Sequence, residues 1–89
     1  MDIVHCEGKG FYIYGENREI LAELEYKMKD DILVFDHTEV SDKLKGQGIA
    51  AKLLDEATKY ARENKLKVKA ECSYVVKKFE TGAYDDIKI

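Results

Sequence analysis

Lys45-Gly46-Gln47-Gly48-Ile49-Ala50 follows a strand-like run, Ile32 to Val40, and opens the one long amphipathic stretch of an 89-residue chain. Two glycines let the backbone turn tightly and approach a ligand without Cβ interference. The helix start beyond them carries unpaired N–H groups and the positive end of a dipole, which suit an anion such as phosphate. Lys45 and Lys52 add positive charge at the same end. A phosphate-bearing cofactor is the first expectation.

Upstream of this loop the pattern is that of strands. Ile3 to Cys6 and Phe11 to Tyr14 flank the turn Glu7-Gly8-Lys9-Gly10. Ala22, Leu24, Tyr26 and Met28 alternate with Glu23, Glu25 and Lys27, as a strand with one wet face does. Lys29-Asp30-Asp31 turns the chain. Ile32-Leu33-Val34-Phe35 is apolar at every position, which predicts a central strand covered on both faces. Downstream, Ile49, Leu53, Ala57 and Ala61 recur at helical spacing, with Asp55–Lys59 and Lys52–Glu56 available to pair on the opposite face. Asn64 is the expected left-handed stop. Leu66 to Cys72 reads as a strand parallel to the central one, Ser73 as the cap of a short helix through Phe79, and Tyr84 to Ile89 as a loop or short strand. The predicted class is α/β (α+β): a mixed, mostly antiparallel twisted sheet with one long and one short helix, in a single domain over residues 1–89.

Composition narrows the function. A formal charge of −3 and no basic stretch interleaved with aromatics give no case for nucleic acid. No segment approaches the roughly 20 apolar residues of a membrane span. No apolar run resembles a leader, and two cysteines without an export signal point to reduced thiols in the cytoplasm. Gly46-x-Gly48-x-x-Ala51 also fits a relaxed dinucleotide fingerprint, with Glu71 as the ribose ligand, but Ser41 to Lys45 intervene after the strand and only one βαβ half is available. His5, Cys6, His37 and Cys72 lack any paired spacing for zinc, so no metal is expected.

The order of elements and the glycine loop resemble the GNAT acetyltransferase superfamily. Its signature is Arg or Gln, two residues, Gly, one residue, then Gly or Ala; Lys45, Gly48 and Ala50 stand at those places. A subgroup of similarly short GNAT-like proteins is similar at Ala22-Glu23-Leu24-x-Tyr26, at His37-Thr38-Glu39-Val40, through the loop, and at Cys72 and Tyr84. The resemblance implies binding of acetyl-CoA or CoA, with the pyrophosphate on the amides of Gln47, Gly48, Ile49 and Ala50 beside Lys45 and Gly46. The pantetheine arm would lie along a gap beside Val40. Ser41 stands where the subgroup commonly has proline, which predicts a looser loop. Phe79 falls near the tyrosine acid of many larger members, so that role is not carried over.

Acetyl transfer to an amine needs a proton acceptor and a way to protonate the leaving thiolate. His37 and Glu39 share one face of their strand by period-2 spacing, and either could accept the proton. The competing reading makes His37 a hydrogen-bonded residue between sheet and helix and Glu39 a loop anchor. Cys72, before a helix start, is a candidate acyl acceptor or else a small packing residue. Tyr74 and Tyr84 are candidate acids. The expected function is transfer of acetyl to an amine by direct attack; the alternative is a CoA-binding or CoA-sensing protein without turnover.

Overall fold

The structure is a computed structural model that describes residues 2–89. Five strands form one sheet in the order β1-β2-β3-β4-β5. They are β1 Val4–Cys6, β2 Gly10–Tyr14, β3 Ile20–Lys29, β4 Ile32–Val40 and β5 Lys67–Ala70. The first three pairings are antiparallel and β4–β5 is parallel. Helix α1, Ile49–Glu63, connects β4 to β5, and the short α2, Ser73–Phe79, follows β5. This is the mixed α+β arrangement that the sequence predicts.

The turns follow from local chemistry. Between β3 and β4 the two-residue loop Asp30–Asp31 has φ of 51° and 66° at successive residues, the left-handed pair that matches the twist of a hairpin. Gly10 enters β2 where a Cβ would stand 2.6 Å from the Leu24 carbonyl oxygen, so only glycine allows β2 and β3 this close.

One face of the sheet is dry. Phe11 and Ile13 of β2, Leu24 and Tyr26 of β3, Leu33 and Phe35 of β4 and Val68 of β5 join Ile49, Leu53, Leu54, Ala57 and Ala61 of α1 in the core, with Val75 and Phe79 of α2. Thr58 is also buried, and its hydroxyl donates to the Leu54 carbonyl at 2.8 Å. The other face is open, apart from Tyr12, which is buried there outside the core cluster. Ile32 and Val34 are only half-buried, contrary to the expectation of a strand covered on both sides, because both helices contribute to a single core cluster.

Four further expectations are corrected. β5 is shorter than Leu66–Cys72 because Glu71 and Cys72 both turn their N–H groups onto the Phe35 carbonyl at 3.0 Å. The left-handed residue after α1 is Lys65 (φ 55°), not Asn64, whose side-chain amide instead donates to the Tyr60 carbonyl at 2.9 Å. Leu66 N–H reaches the Ala61 carbonyl and Lys65 N–H the Arg62 carbonyl, completing the paired bonds of a Schellman stop. Cys72, not Ser73, is the N-cap of α2. Neither expected ion pair on α1 closes; Arg62 of α1 pairs with Asp86 at 2.8 Å.

Candidate functional site

β4 outruns its parallel partner. Pairing with β5 covers Ile32 to Phe35 only, whereas β4 continues to Val40 along β3. The Ser41 N–H donates back to the Leu21 carbonyl on the β3 side at 2.7 Å. Backbone groups alternate edges along a strand, so those of Val40, and of Thr38 two residues before, face away from β3 into a gap beyond the end of β5. The Thr38 N–H indeed lies toward the Cys72 sulfur. An unpaired strand edge is a template for any extended chain bearing amides.

The gap leads to the glycine loop. Ser41 starts a 3₁₀ turn at Asp42–Leu44, its Oγ accepting the Lys43 N–H at 3.2 Å. With its own N–H also bonded, Ser41 anchors the loop rather than loosening it. Gly46 and Gly48 then take φ of 80° and 67°, and Gly48 is the N-cap of α1. The first helical bond runs from Lys52 N–H to the Gly48 carbonyl at 3.2 Å; the N–H groups of Gly46, Gln47, Gly48, Ile49, Ala50 and Ala51 have no acceptor among the described residues. A Cβ built on Gly46 or Gly48 would meet nothing within 4 Å, so the space above the loop is open. Lys45 to Gly48 are exposed. Lys45 leans on Asp42 at 3.6 Å, an exposed contact of little energetic weight.

The candidate catalytic residues are divided between the two faces. Asp36 is an extra residue on β4: Tyr26 pairs with Phe35, and the next β3 residue, Glu25, pairs with His37. This bulge returns Thr38 and Val40 to the dry face, opposite Leu24 and Ala22, and places His37 and Glu39 on the open one, opposite Glu25 and Glu23. His37 therefore does not sit between sheet and helix. Its Nε2 lies 2.8 Å from Glu23 Oε2, and Glu39 is its neighbour on the same face. Glu23 thus belongs to the site, although the sequence shows it only as one of several wet residues on β3. A cavity of about 330 Å³ where β3 begins and β4 ends is lined by Glu23, Glu39, Val40 and Asp42.

Cys72 lies on the dry side, half-buried, with Sγ donating to Thr38 Oγ1 at 3.4 Å. Burial alone would push its thiol up; hydrogen bonds that the thiolate form accepts from the Thr38 hydroxyl and the N–H groups of Val75, Tyr74 and Thr38 outweigh this and hold it below the ordinary value. Thr38 is the second residue that sequence reasoning did not single out. Tyr74 and Tyr84 stay protonated, both pushed up chiefly by burial. Phe79 is buried, with the Tyr84 ring stacked 5.0 Å away. His5, Cys6, His37 and Cys72 do not converge. The sheet order, with one parallel pair, lacks the second βαβ half of a dinucleotide fold.

The sequence profile of the family described as GCN5-related N-acetyl-transferase matches residues 10–87. The solution structure of a GCN5-like candidate N-acetyltransferase from Staphylococcus aureus is similar at a TM-score of 0.81 and 38% identity, covering 99% of this chain and 87% of that one. Two larger proteins share the fold over 66% of this chain: nourseothricin acetyltransferase (TM-score 0.54, 22% identity, 36% of that chain) and a GNAT-family acetyltransferase from Staphylococcus aureus Mu50 (0.56, 13%, 39%). No curated protein matches the sequence.

Proposed function

The chain belongs to the GCN5-related N-acetyltransferase family, and from that membership we propose that its 89 residues form one domain that binds acetyl-CoA and transfers the acetyl group to an amine. The observation that carries this reading is the run of unpartnered amides from Gly46 to Ala51, continuous with the edge of β4 at Val40 beyond the end of β5. The loop fits a diphosphate, with acceptor-free N–H groups and open space above both glycines. An amide-bearing pantetheine arm fits the strand edge as an added strand would. Acetyl-CoA would supply the activated acetyl group.

The amine then reaches the gap from the open face, where His37 and Glu39 stand. Its nitrogen would form the new C–N bond as the thioester C–S bond breaks with its electron pair left on the coenzyme sulfur, the amine proton passing to His37 or Glu39, directly or through water, and the thiolate taking a proton from solvent. The cavity beside Glu23 and Glu39 is the place for the acceptor. Cys72 faces the gap from the other side, and hydrogen bonds that favour its thiolate support a second route through an acyl-cysteine. The alternative is a coenzyme carrier without turnover, favoured by one fact: the buried Phe79, near where larger members carry a tyrosine acid, offers no proton for the leaving thiolate.

Release of free thiol from acetyl-CoA, measured with a panel of amines, tests these together. We expect turnover that falls about 100-fold in His37→Ala or Glu39→Gln, with CoA affinity by calorimetry unchanged and NAD not bound. Turnover indifferent to both substitutions would overturn the assignment of the base. Loss of turnover in Cys72→Ser would replace direct attack by the acyl-cysteine route, and tight CoA binding with no thiol release would leave the carrier.

A further inference from the structure

We propose that Glu23, His37 and Glu39 form a binding site for a divalent transition-metal ion of the zinc class. One ligand atom from each side chain lies within 4.8 Å of the others. Glu23 and Glu39 are direct cross-strand partners on the two longest strands, and His37 is two residues from Glu39 on the same face. Position is thus fixed by the ladder between β3 and β4 rather than by a loop.

The charge balance of this face supports the assignment. Like charges directly opposite on a sheet are destabilising. Other carboxylates nearby have partners: Glu25 accepts the Tyr12 hydroxyl at 2.8 Å, Asp36 pairs with Lys27 at 3.4 Å and Glu71 with Lys69 at 3.4 Å. Among the described residues Glu23 and Glu39 have no lysine or arginine partner, only the His37 imidazole between them. A cation on this triad would neutralise the opposed pair. Imidazole with two carboxylates suits zinc and its neighbours better than magnesium, which prefers oxygen alone. Bonds near 2 Å put tetrahedral ligands roughly 3.3 Å apart, so side-chain rotation of about an ångström closes the set. The exposed side of the imidazole leaves the fourth position to water. A bound ion would occupy the His37 lone pair and both carboxylates, so the metal-bound and base-competent forms would exclude each other. The site itself does not depend on the acetyltransferase reading.

Calorimetric titration of the full chain with ZnCl₂, in parallel with MgCl₂, tests it. The expected result is one zinc ion per chain, much weaker magnesium binding, and zinc affinity at least about tenfold lower in His37→Ala, Glu23→Gln and Glu39→Gln. All three sit on the open face, and thermal melts verify that each variant is folded. The Cys6→Ser/Cys72→Ser double variant should keep wild-type zinc affinity, which separates this site from the thiols. No saturable binding at millimolar zinc, affinity unchanged in His37→Ala and Glu39→Gln, or binding lost with the cysteines would each overturn the proposal.

Discussion

Gly48 illustrates how one residue carries two separable roles. Its φ of 67° suits glycine, and the space where a Cβ would stand is empty. An alanine there would meet no protein atom, yet would project from the surface proposed for the diphosphate. Gly48→Ala should therefore cost only about 1 kcal/mol of stability, through the left-handed backbone, while weakening CoA binding tenfold or more. Calorimetry beside a thermal melt checks both, and unchanged affinity would remove the loop from the binding site. His5 is a residue of the opposite kind, structural though titratable. Its ring stacks on Phe11 at 4.1 Å, meets Tyr60 edge-on at 4.4 Å and lies 2.6 Å by Nε2 from the Tyr26 hydroxyl, which accepts the Gly8 N–H. Burial lowers its pKa despite Glu7 nearby. The neutral ring is the one that folding favours. Its stabilisation is complete above the unfolded value of about 6.5 and is lost as pH falls from there through the depressed native value. Melts at pH 7.5 and pH 5 should show a larger drop for wild type than for His5→Phe, which keeps the stacking and cannot titrate.

Helix α1 ends at a lysine in a conformation that favours glycine. Lys65 supplies the left-handed turn of the Schellman stop, so Lys65→Gly should stabilise the protein by about 0.5–1 kcal/mol. That corresponds to a rise in Tm of several degrees for a domain of this size. A lower Tm would mean that the long Lys65 side chain contributes packing that outweighs the strain. This position also shows what could be read in advance and what could not. The helix was legible because Ile49, Leu53, Ala57 and Ala61 repeat at its period, and its last residue was fixed to within one. The stop was misassigned because asparagine tolerates the left-handed region better than lysine, and the preference of a residue type was set against a backbone path chosen by Leu66 reaching the core. In β4 the strand itself was evident, and so was the shared face of His37 and Glu39. The bulge at Asp36 leaves no trace in an apolar-polar pattern, so which face they share, and that Thr38 would meet Cys72, came only with the register. Glu23 was unreadable for the same reason: its partner lies across the sheet, not along the chain.

At the scale of the whole molecule, the sheet has two edges with different protection. β1 is short. β5 is covered by the chain's last residues: Val68 bonds to the Ile87 carbonyl at 2.8 Å and receives the Ile89 N–H at 3.1 Å. Arg62 fixes this segment through Asp86, Lys67 donates to the Asp86 carbonyl at 2.9 Å, and Ile87 is buried. Deleting residues 84–89 should lower the melting temperature and promote concentration-dependent association, read by size-exclusion chromatography, because a bare strand edge invites pairing. A truncated protein that stays monomeric and melts unchanged would show the segment to be dispensable. Among the described residues no helix is long and apolar enough to cross a membrane.

The extra residue at position 36 governs more than local geometry. Were it paired in turn with no bulge, simple alternation would keep Leu33 and Phe35 packed while turning Thr38 and Val40 out to water and carrying His37 and Glu39 beneath the helix. A strand regular in this way would keep its composition and its hairpin, yet swap the wet and dry chemistry of its second half. Counting along β4 to an odd or even number is what decides which side of this protein meets the solvent with an imidazole and which with a thiol.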